Sequence, residues 1–266
     1  MSILDKIIYD KKREVALKKS LVPIKQLSIY QLFEAKTNSL TAALLNSDFG
    51  IIAEHKRRSP SKATINQSLS VDQVVKGYED AGACGISVLT DSKYFGGSLD
   101  DLILAKASAS IPLLRKEFII DEYQILEAKA HGADAILLIA SVLTHFEIKT
   151  FSEFAKSIGL EVLIEIHSLD ELAKSLLSSI DIIGINNRNL STFEVDICTS
   201  KRLADFIPKE FVKISESGIT SSRDILDLKS YGYQGFLIGE NFMKTDNPGK
   251  AADDFLREIT NNKIST

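Results

Sequence analysis

The sequence predicts an α/β protein: one closed barrel of eight parallel strands, wrapped by helices and preceded by a helical extension. Two observations carry that expectation. From residue 50 onward, short apolar runs recur between amphipathic stretches, with starts roughly 20 to 34 residues apart, the length that a strand, a crossover helix and two loops require. Charged and polar residues collect just after these runs, on the face where such a barrel carries its site. Eight consecutive units, each too short to fold alone, close most economically into a single (β/α)8, or TIM, barrel over 1–266, with 1–48 as the extension. A doubly wound open sheet is the alternative, but its dinucleotide loop is missing, since Phe95-Gly96-Gly97-Ser98 has the wrong glycine spacing.

The extension opens with a helix over 2–19, whose stripe of Leu4, Ile7, Ile8 and Val15 should pack on protein and leave Lys11, Lys12 and Arg13 in water. A second helix is expected near 28–36. Strands are then expected at 51–53, 85–89, 112–114, 135–139, 162–166, 180–185, 211–214 and 235–238. Between them, Ser70-x-x-Gln73, Thr144-x-x-Glu147 and Ser168-x-x-Glu171 read as capping boxes, whose side chains satisfy N–H groups that a first helical turn leaves unpaired. The histidines show no metal-ligand spacing: His55 should face away from Lys56, His131 and His145 lie in helical surroundings, and His167 begins a loop.

Composition bounds the function. A chain of 266 residues, 44% hydrophobic and 26% charged, can bury a large core, and its mean hydropathy of +0.03 suits a soluble enzyme. Cys84 and Cys198 cannot form a disulfide framework and read as buried thiols of a reducing compartment. No signal-like apolar core opens the chain and no segment is long enough to cross a bilayer, so the expected location is the cytoplasm. A net charge of -4 gives no general pull toward nucleic acid. The polar tail that begins Thr260-Asn261-Asn262-Lys263 follows the last amphipathic helix with no further catalytic domain, so a freestanding monomer is expected.

The strand ends supply the chemistry. Ile51 to Ser61 runs from an apolar strand into Glu54, Lys56 and a serine-rich turn, and the period of two puts Glu54 and Lys56 on one face. The other strands run into Lys116 and Phe118, Glu165, Asn186 and Arg188, Glu216 and Ser217, and Gly239 and Glu240. Carboxylates on apolar strands are costly unless paired, so Glu54 and Glu165 should meet Lys56 or Lys116. Gly218 and Gly239 leave backbone amides open to a phosphate after strands 7 and 8, with Ser59 and Glu240 at the same anion site.

These residues resemble the indole-3-glycerol-phosphate synthase family. The resemblance lies in Ile51-Ile52-Ala53-Glu54-His55-Lys56-Arg57-Arg58-Ser59-Pro60-Ser61, in Val88 to Asp91 with Tyr94-Phe95-Gly96-Gly97-Ser98, and in Leu114 to Asp121. It continues through Ile164-Glu165-Ile166-His167, Ile183 to Leu190, Ser215-Glu216-Ser217-Gly218-Ile219 and Leu237-Ile238-Gly239-Glu240, and so spans essentially the whole chain. It implies conversion of 1-(2-carboxyphenylamino)-1-deoxyribulose 5-phosphate into indole-3-glycerol phosphate, carbon dioxide and water, without metal or organic cofactor. Lys116 would be the general acid of ring closure and Glu165 the acid–base group of the later dehydration. Lys56 would touch the substrate carboxylate and serve as an acid in dehydration, the division of acid roles between the two lysines staying open. Glu54 would orient substrate and lysines, Asn186 would hold a hydroxyl or the network, and Arg188 would grip the anthranilate carboxylate. Phe118 would wall the aromatic ring, Glu216 and Ser217 would hold polar groups, and the loop 91–98 would cover the substrate. Glu240 stands where some relatives have serine. A phosphoribosylanthranilate isomerase-like barrel would need a cysteine and aspartate pair that is not apparent here, and a noncatalytic sugar-phosphate-binding barrel would not need four charged groups around one cavity.

Overall fold

The fold is seen in a computed structural model that describes residues 2–189 and 192–264. Eight strands, β1 (Ile51–His55), β2 (Gly85–Leu89), β3 (Leu113–Lys116), β4 (Ala135–Ile139), β5 (Glu161–Ile166), β6 (Ile182–Asn186), β7 (Val212–Glu216) and β8 (Gly235–Ile238), pair in parallel and in chain order, and β8 returns to β1. Every run expected to be a strand is one, three of them with the expected bounds and the others shifted by one or two residues. Alternation sends Ile52, Leu114, Leu137, Leu163, Ile182 and Ile214 into the barrel interior, while Ile51, Ala53, Ile136 and Ile183 face the helix layer. His55 falls on the outward face with Ile51 and Ala53, away from Lys56, as expected.

The extension touches both ends of the barrel. At the base, α3 (Leu40–Leu45) inserts Leu40 and Leu44 among the inward residues. The first residues of β2 and β8 are glycine, because a Cβ on Gly85 or Gly235 would lie 2.6 Å from a methyl of Leu40 or Leu44. Glu161 fixes α3 by accepting hydrogen bonds from Ser39 Oγ at 2.5 Å and Thr41 N at 2.8 Å. At the other end, α1 (Ile3–Leu21) packs Val15 against Tyr123, Leu126 and Ala130.

The expected solvent exposure of Lys11 is wrong. Ile7, Lys11 and Val15 are four apart, so the lysine shares the buried stripe, and its ammonium lies 2.9 Å from Asp91, 3.1 Å from Glu117 and 2.8 Å from Glu14. Burial alone would depress that ammonium, but the surrounding carboxylates outweigh it and raise its pKa. The second helix is also misplaced: α2 (Ile24–Leu27) begins after Pro23, and 28–35 are turns.

The outer layer comprises α4 (Val71–Asp80), α5 (Ser92–Phe95), α6 (Leu99–Ser108), α7 (Glu122–Ala130), α8 (His145–Ser157), α9 (Leu169–Ala173), α10 (Cys198–Leu203), α11 (Ser222–Ser230), α12 (Glu240–Met243) and α13 (Pro248–Ile264). Of the three expected capping boxes, only Thr144 with Glu147 is complete. Ser70 sits at the N-cap of α4 without a side-chain bond, and Ser168 caps α9 while Glu171 reaches past it to His167. Cys198, at the first turn of α10, is exposed instead of buried, whereas the half-buried Cys84 thiol has its pKa pushed up to about 12 by desolvation. Among the described residues no helix is long and apolar enough to cross a membrane.

Replacing Lys11 by Met should cost about 3–5 kcal/mol, because it strands Asp91 and Glu117 in a buried site. Replacing the exposed Lys12 by Met should change stability by less than about 0.5 kcal/mol. Chemical denaturation of the two variants checks the contrast, and equal midpoints would contradict it.

Candidate active site

The inward residue nearest the C-terminal end of each strand defines the mouth: Glu54, Leu89, Lys116, Ile139, Glu165, Asn186, Glu216 and Leu237 all line one cavity. Half of this ring is apolar or neutral. The rest is charged and, for the carboxylates, almost fully buried. Lys56, one residue past β1, turns back to Glu54, with Nζ 2.8 Å from Oε1. Lys116 stands between Glu165, at 3.4 Å, and Glu216, with which it forms a shorter bond.

Electrostatics follow from three carboxylates facing two ammonium groups. Burial opposes the charged form of Lys116, yet Glu216, Glu165 and Glu54 together raise its pKa well above the ordinary lysine range. Burial would raise Glu54, but Lys56 and Lys116 bring it below its usual value. Glu216 goes the other way. Desolvation, with the fields of Glu165 and Glu54, outweighs Lys116 and raises its proton affinity, and its Oε1 makes no hydrogen bond. Small residues make room for these groups. A Cβ on Gly184 would strike Glu216 Oε1, and one on Gly239 would lie 2.6 Å from Glu54 Oε1.

The cavity has two connected lobes. The first is walled by Phe118, Leu89, Leu137, Ile139 and Phe95, with Ile3, Leu4 and Ile7 of α1 overhanging it. Sequence reasoning placed α1 against the main domain but not over the mouth, although its first apolar residues were the signal. The second lobe lies after β7 and β8 and is lined by Gly218, Ile219, Thr220, Gly239, Asn241 and Lys244. Glu54, Lys56, Arg188, Ser217, Leu237 and Glu240 border both. Lys244 and Thr220 were not among the sequence-derived candidates.

Backbone strain marks the junction of the lobes. Ser217 and Gly218 adopt successive left-handed conformations, φ 66° and 79°, and only the second is free for its residue type. Asn187 holds the strained serine by donating to Ser217 O at 3.0 Å, and its own amide oxygen accepts from Ser200. Asn186, one residue earlier, faces the cavity and accepts from Arg188 N at 2.9 Å. Arg188 donates to Phe193 O at 3.2 Å, and Leu190, the last residue of that motif, lies outside the described residues.

Ser59 is among the residues that line the first lobe, and Gly218 and Gly239 among those that line the second. Glu240, first residue of α12, pairs with Lys62 of the loop after β1. The loop 91–98 folds into α5, capped by Asp91, with Gly96 at φ 71° ending it. Only Phe95 of its aromatic pair faces the cavity, its ring centroid 6.0 Å from that of Phe118, because Tyr94 turns to bond Asp10 of α1. Among the described residues, no group of three or more His, Cys, Asp or Glu side chains is placed to hold a metal ion.

A buried lysine within reach of several carboxylates, beside a strand 7–8 corner rich in backbone amides, makes this a (β/α)8-barrel enzyme built for acid–base chemistry on a small molecule. The profile of one family, indole-3-glycerol phosphate synthase, matches residues 4–255, and the chain belongs to that family. It is 48% identical to the indole-3-glycerol phosphate synthase of Bacteroides thetaiotaomicron, over 97% of this chain and 98% of that one. It is 44% identical to the enzyme of the same name from Caldanaerobacter subterraneus subsp. tengcongensis, over 92% and 94% of the two chains. Among solved structures, a chain of the tryptophan synthase complex of Pyrococcus furiosus superposes with a TM-score of 0.60 at 16% identity, over 80% of this chain and 98% of that one. Thiamine phosphate pyrophosphorylase from the same organism gives 0.59 at 14%, over 84% and 98%. These two likenesses are of fold.

Gly239→Ala should displace the Glu54 carboxylate and with it Lys56. Misplacement on this scale costs up to about 100-fold in turnover, while overpacking costs about 1–3 kcal/mol of stability. Steady-state kinetics and thermal unfolding check both, and wild-type turnover would show that Glu54 tolerates the added methyl.

Proposed function

We infer that the chain is an indole-3-glycerol-phosphate synthase, a carboxy-lyase of tryptophan biosynthesis. It converts 1-(2-carboxyphenylamino)-1-deoxyribulose 5-phosphate into indole-3-glycerol phosphate by ring closure, decarboxylation and dehydration. The family match over residues 4–255 carries this conclusion.

The roles proposed for individual residues rest on what the geometry can do. As a ring carbon attacks the ribulose carbonyl, negative charge grows on the carbonyl oxygen and must be met by a proton donor. Lys116 is proposed as that acid: it projects into the cavity and its neighbouring carboxylates keep it charged and aimed. Loss of the carboxylate then restores aromaticity. Arg188 is proposed to hold that carboxylate until it leaves, since a guanidinium presents a rigid fork to it, and Phe118 to wall the ring. Glu165 is proposed as the group that removes a proton and assists loss of hydroxide, with Lys56 as a further acid oriented by Glu54. Asn186, Glu216 and Ser217 are proposed to hold substrate hydroxyls and the charged network. The amides of Gly218 and Gly239, with Lys244 nearby, support a phosphate site in the second lobe. Glu240, neutralised by Lys62, is compatible with an anion there. Ser59 is the weakest member of that set, because it lines the other lobe.

The loop 91–98 is proposed to cover the substrate through Phe95. We further propose that the enzyme works as a monomer in the cytoplasm.

Lys116→Ala should lower the rate of ring closure by about 10² to 10⁴ and, because it strands Glu165 and Glu216, cost about 3–5 kcal/mol of stability without changing the fold. Glu165→Gln keeps shape but not proton transfer, so an intermediate formed after decarboxylation should accumulate. Rapid-quench single turnover decides both. Near-normal formation of indole-3-glycerol phosphate by Lys116→Ala would remove Lys116 as the acid, and the same result for Glu165→Gln would remove Glu165 from dehydration.

A further inference from the structure

His167, the residue that follows β5, is a histidine for which the roles above have no task. Its ring is gripped from one side. Glu171 Oε2 accepts the His167 backbone N–H at 2.8 Å and lies 3.2 Å from Nδ1, so Nδ1 carries a hydrogen and the ring orientation is fixed. The opposite nitrogen, Nε2, is buried and makes no hydrogen bond. It stands 3.7 Å from Oε1 of Glu165, whose Oε2 is the oxygen that faces Lys116 at 3.4 Å. His167 does not line the cavity, so whatever it does is done through Glu165. The sequence also bends toward this contact, for Glu171 forgoes its capping-box bond to Ser168 N in order to hold His167.

We propose that His167 is a positioning residue for Glu165: held by Glu171 behind the cavity, it presents a cationic ring to the Glu165 carboxylate. The proposal rests on Glu165 being the acid–base group of dehydration. With Nδ1–H bound to Glu171 and Nε2 turned to Glu165 Oε1, the ring stabilises the negative carboxylate that must accept a proton from substrate, while the proton itself moves only between substrate and Glu165.

The charges around the ring favour its cationic form. Glu171 faces it from α9, Glu165 from β5 and Glu216 from β7. Lys116 is paired with Glu165 and Glu216, and Lys174, beyond Glu171, donates to Leu143 O. Burial opposes a charged imidazole, but the bond to Glu171 and the fields of the three carboxylates outweigh it and raise the pKa of His167 above its ordinary value. An imidazolium beside Glu165 stabilises negative charge there. Taking it away should therefore move the acidic limb of dehydration to higher pH.

The test is the pH dependence of single-turnover dehydration in His167→Asn, Glu171→Gln and wild-type enzyme, with thermal unfolding as the control for folding. His167→Asn keeps an amide toward Glu171 but does not reach Glu165. Its acidic limb should move up by about one pH unit, the lower end of what an opposite charge at this distance supplies. Glu171→Gln should move the limb the same way by less. His167→Gln serves if the Asn variant does not fold. A limb that stays in place, or a rate lowered equally at every pH, would overturn the proposal and leave His167 a packing residue. Unimpaired dehydration by Glu165→Gln is a separate failure, because it would remove the base on which the proposal depends.

Discussion

Three buried carboxylates and two ammonium groups share the barrel mouth, and the placement of the neighbouring residues answers to that imbalance. Glu54, Glu165 and Glu216 could not remain in an apolar ring without Lys56 and Lys116, since unpaired buried charge is far costlier than a paired one. One negative charge is left over. The excess is relieved by protonation of the group with the least solvent and one unpaired oxygen, Glu216, which holds its proton to higher pH than an ordinary carboxylate. Gly184 and Gly239 are small because the carboxylates lie against them.

A second group of buried charges ties this mouth to the extension. Lys11 binds Asp91 at the start of the loop 91–98 and Glu117, the residue after Lys116. Thr90 donates to Glu117, and Arg115, pointing outward from β3, donates to Thr90, to Gln124 O and to Glu127. One face of β3 therefore serves the cavity and the other fixes the helix that overhangs it. The same alternation that sorts apolar residues between interior and helix layer here sorts two sets of charges.

Most of the fold and of the mouth was legible in the sequence because both obey the period of two. Once β1 begins at Ile51, Glu54 must face inward. The same count turns Lys116, Glu165, Asn186 and Glu216 into one ring. Lys11 was misjudged because the expectation that lysine seeks water overrode the helical period, which had already put it between Ile7 and Val15. Six residues of α3 carry too few turns to register as a helix, and their reason for being helical is tertiary: Glu161 and the open base of the barrel. Glu171 had two partners within reach, and local spacing could not reveal that His167 would win it from Ser168. The division of the cavity into two lobes, with Ser59 lining one and Gly218 and Gly239 the other, depends on loop paths with no periodic signature.

The plug at the base links the order of synthesis to the order of assembly. Leu40 and Leu44 leave the ribosome before any strand, yet the walls that enclose them include β2, β7 and β8, the last of which is made near the end of the chain. Until β8 pairs with β1, the base around Leu44 lacks one of its sides. Nascent chains of every shorter length therefore carry an apolar surface that only the final strand can cover. Closing the ring and sealing its floor are one event, and a barrel arrested short of β8 is a ready substrate for chaperones or for aggregation.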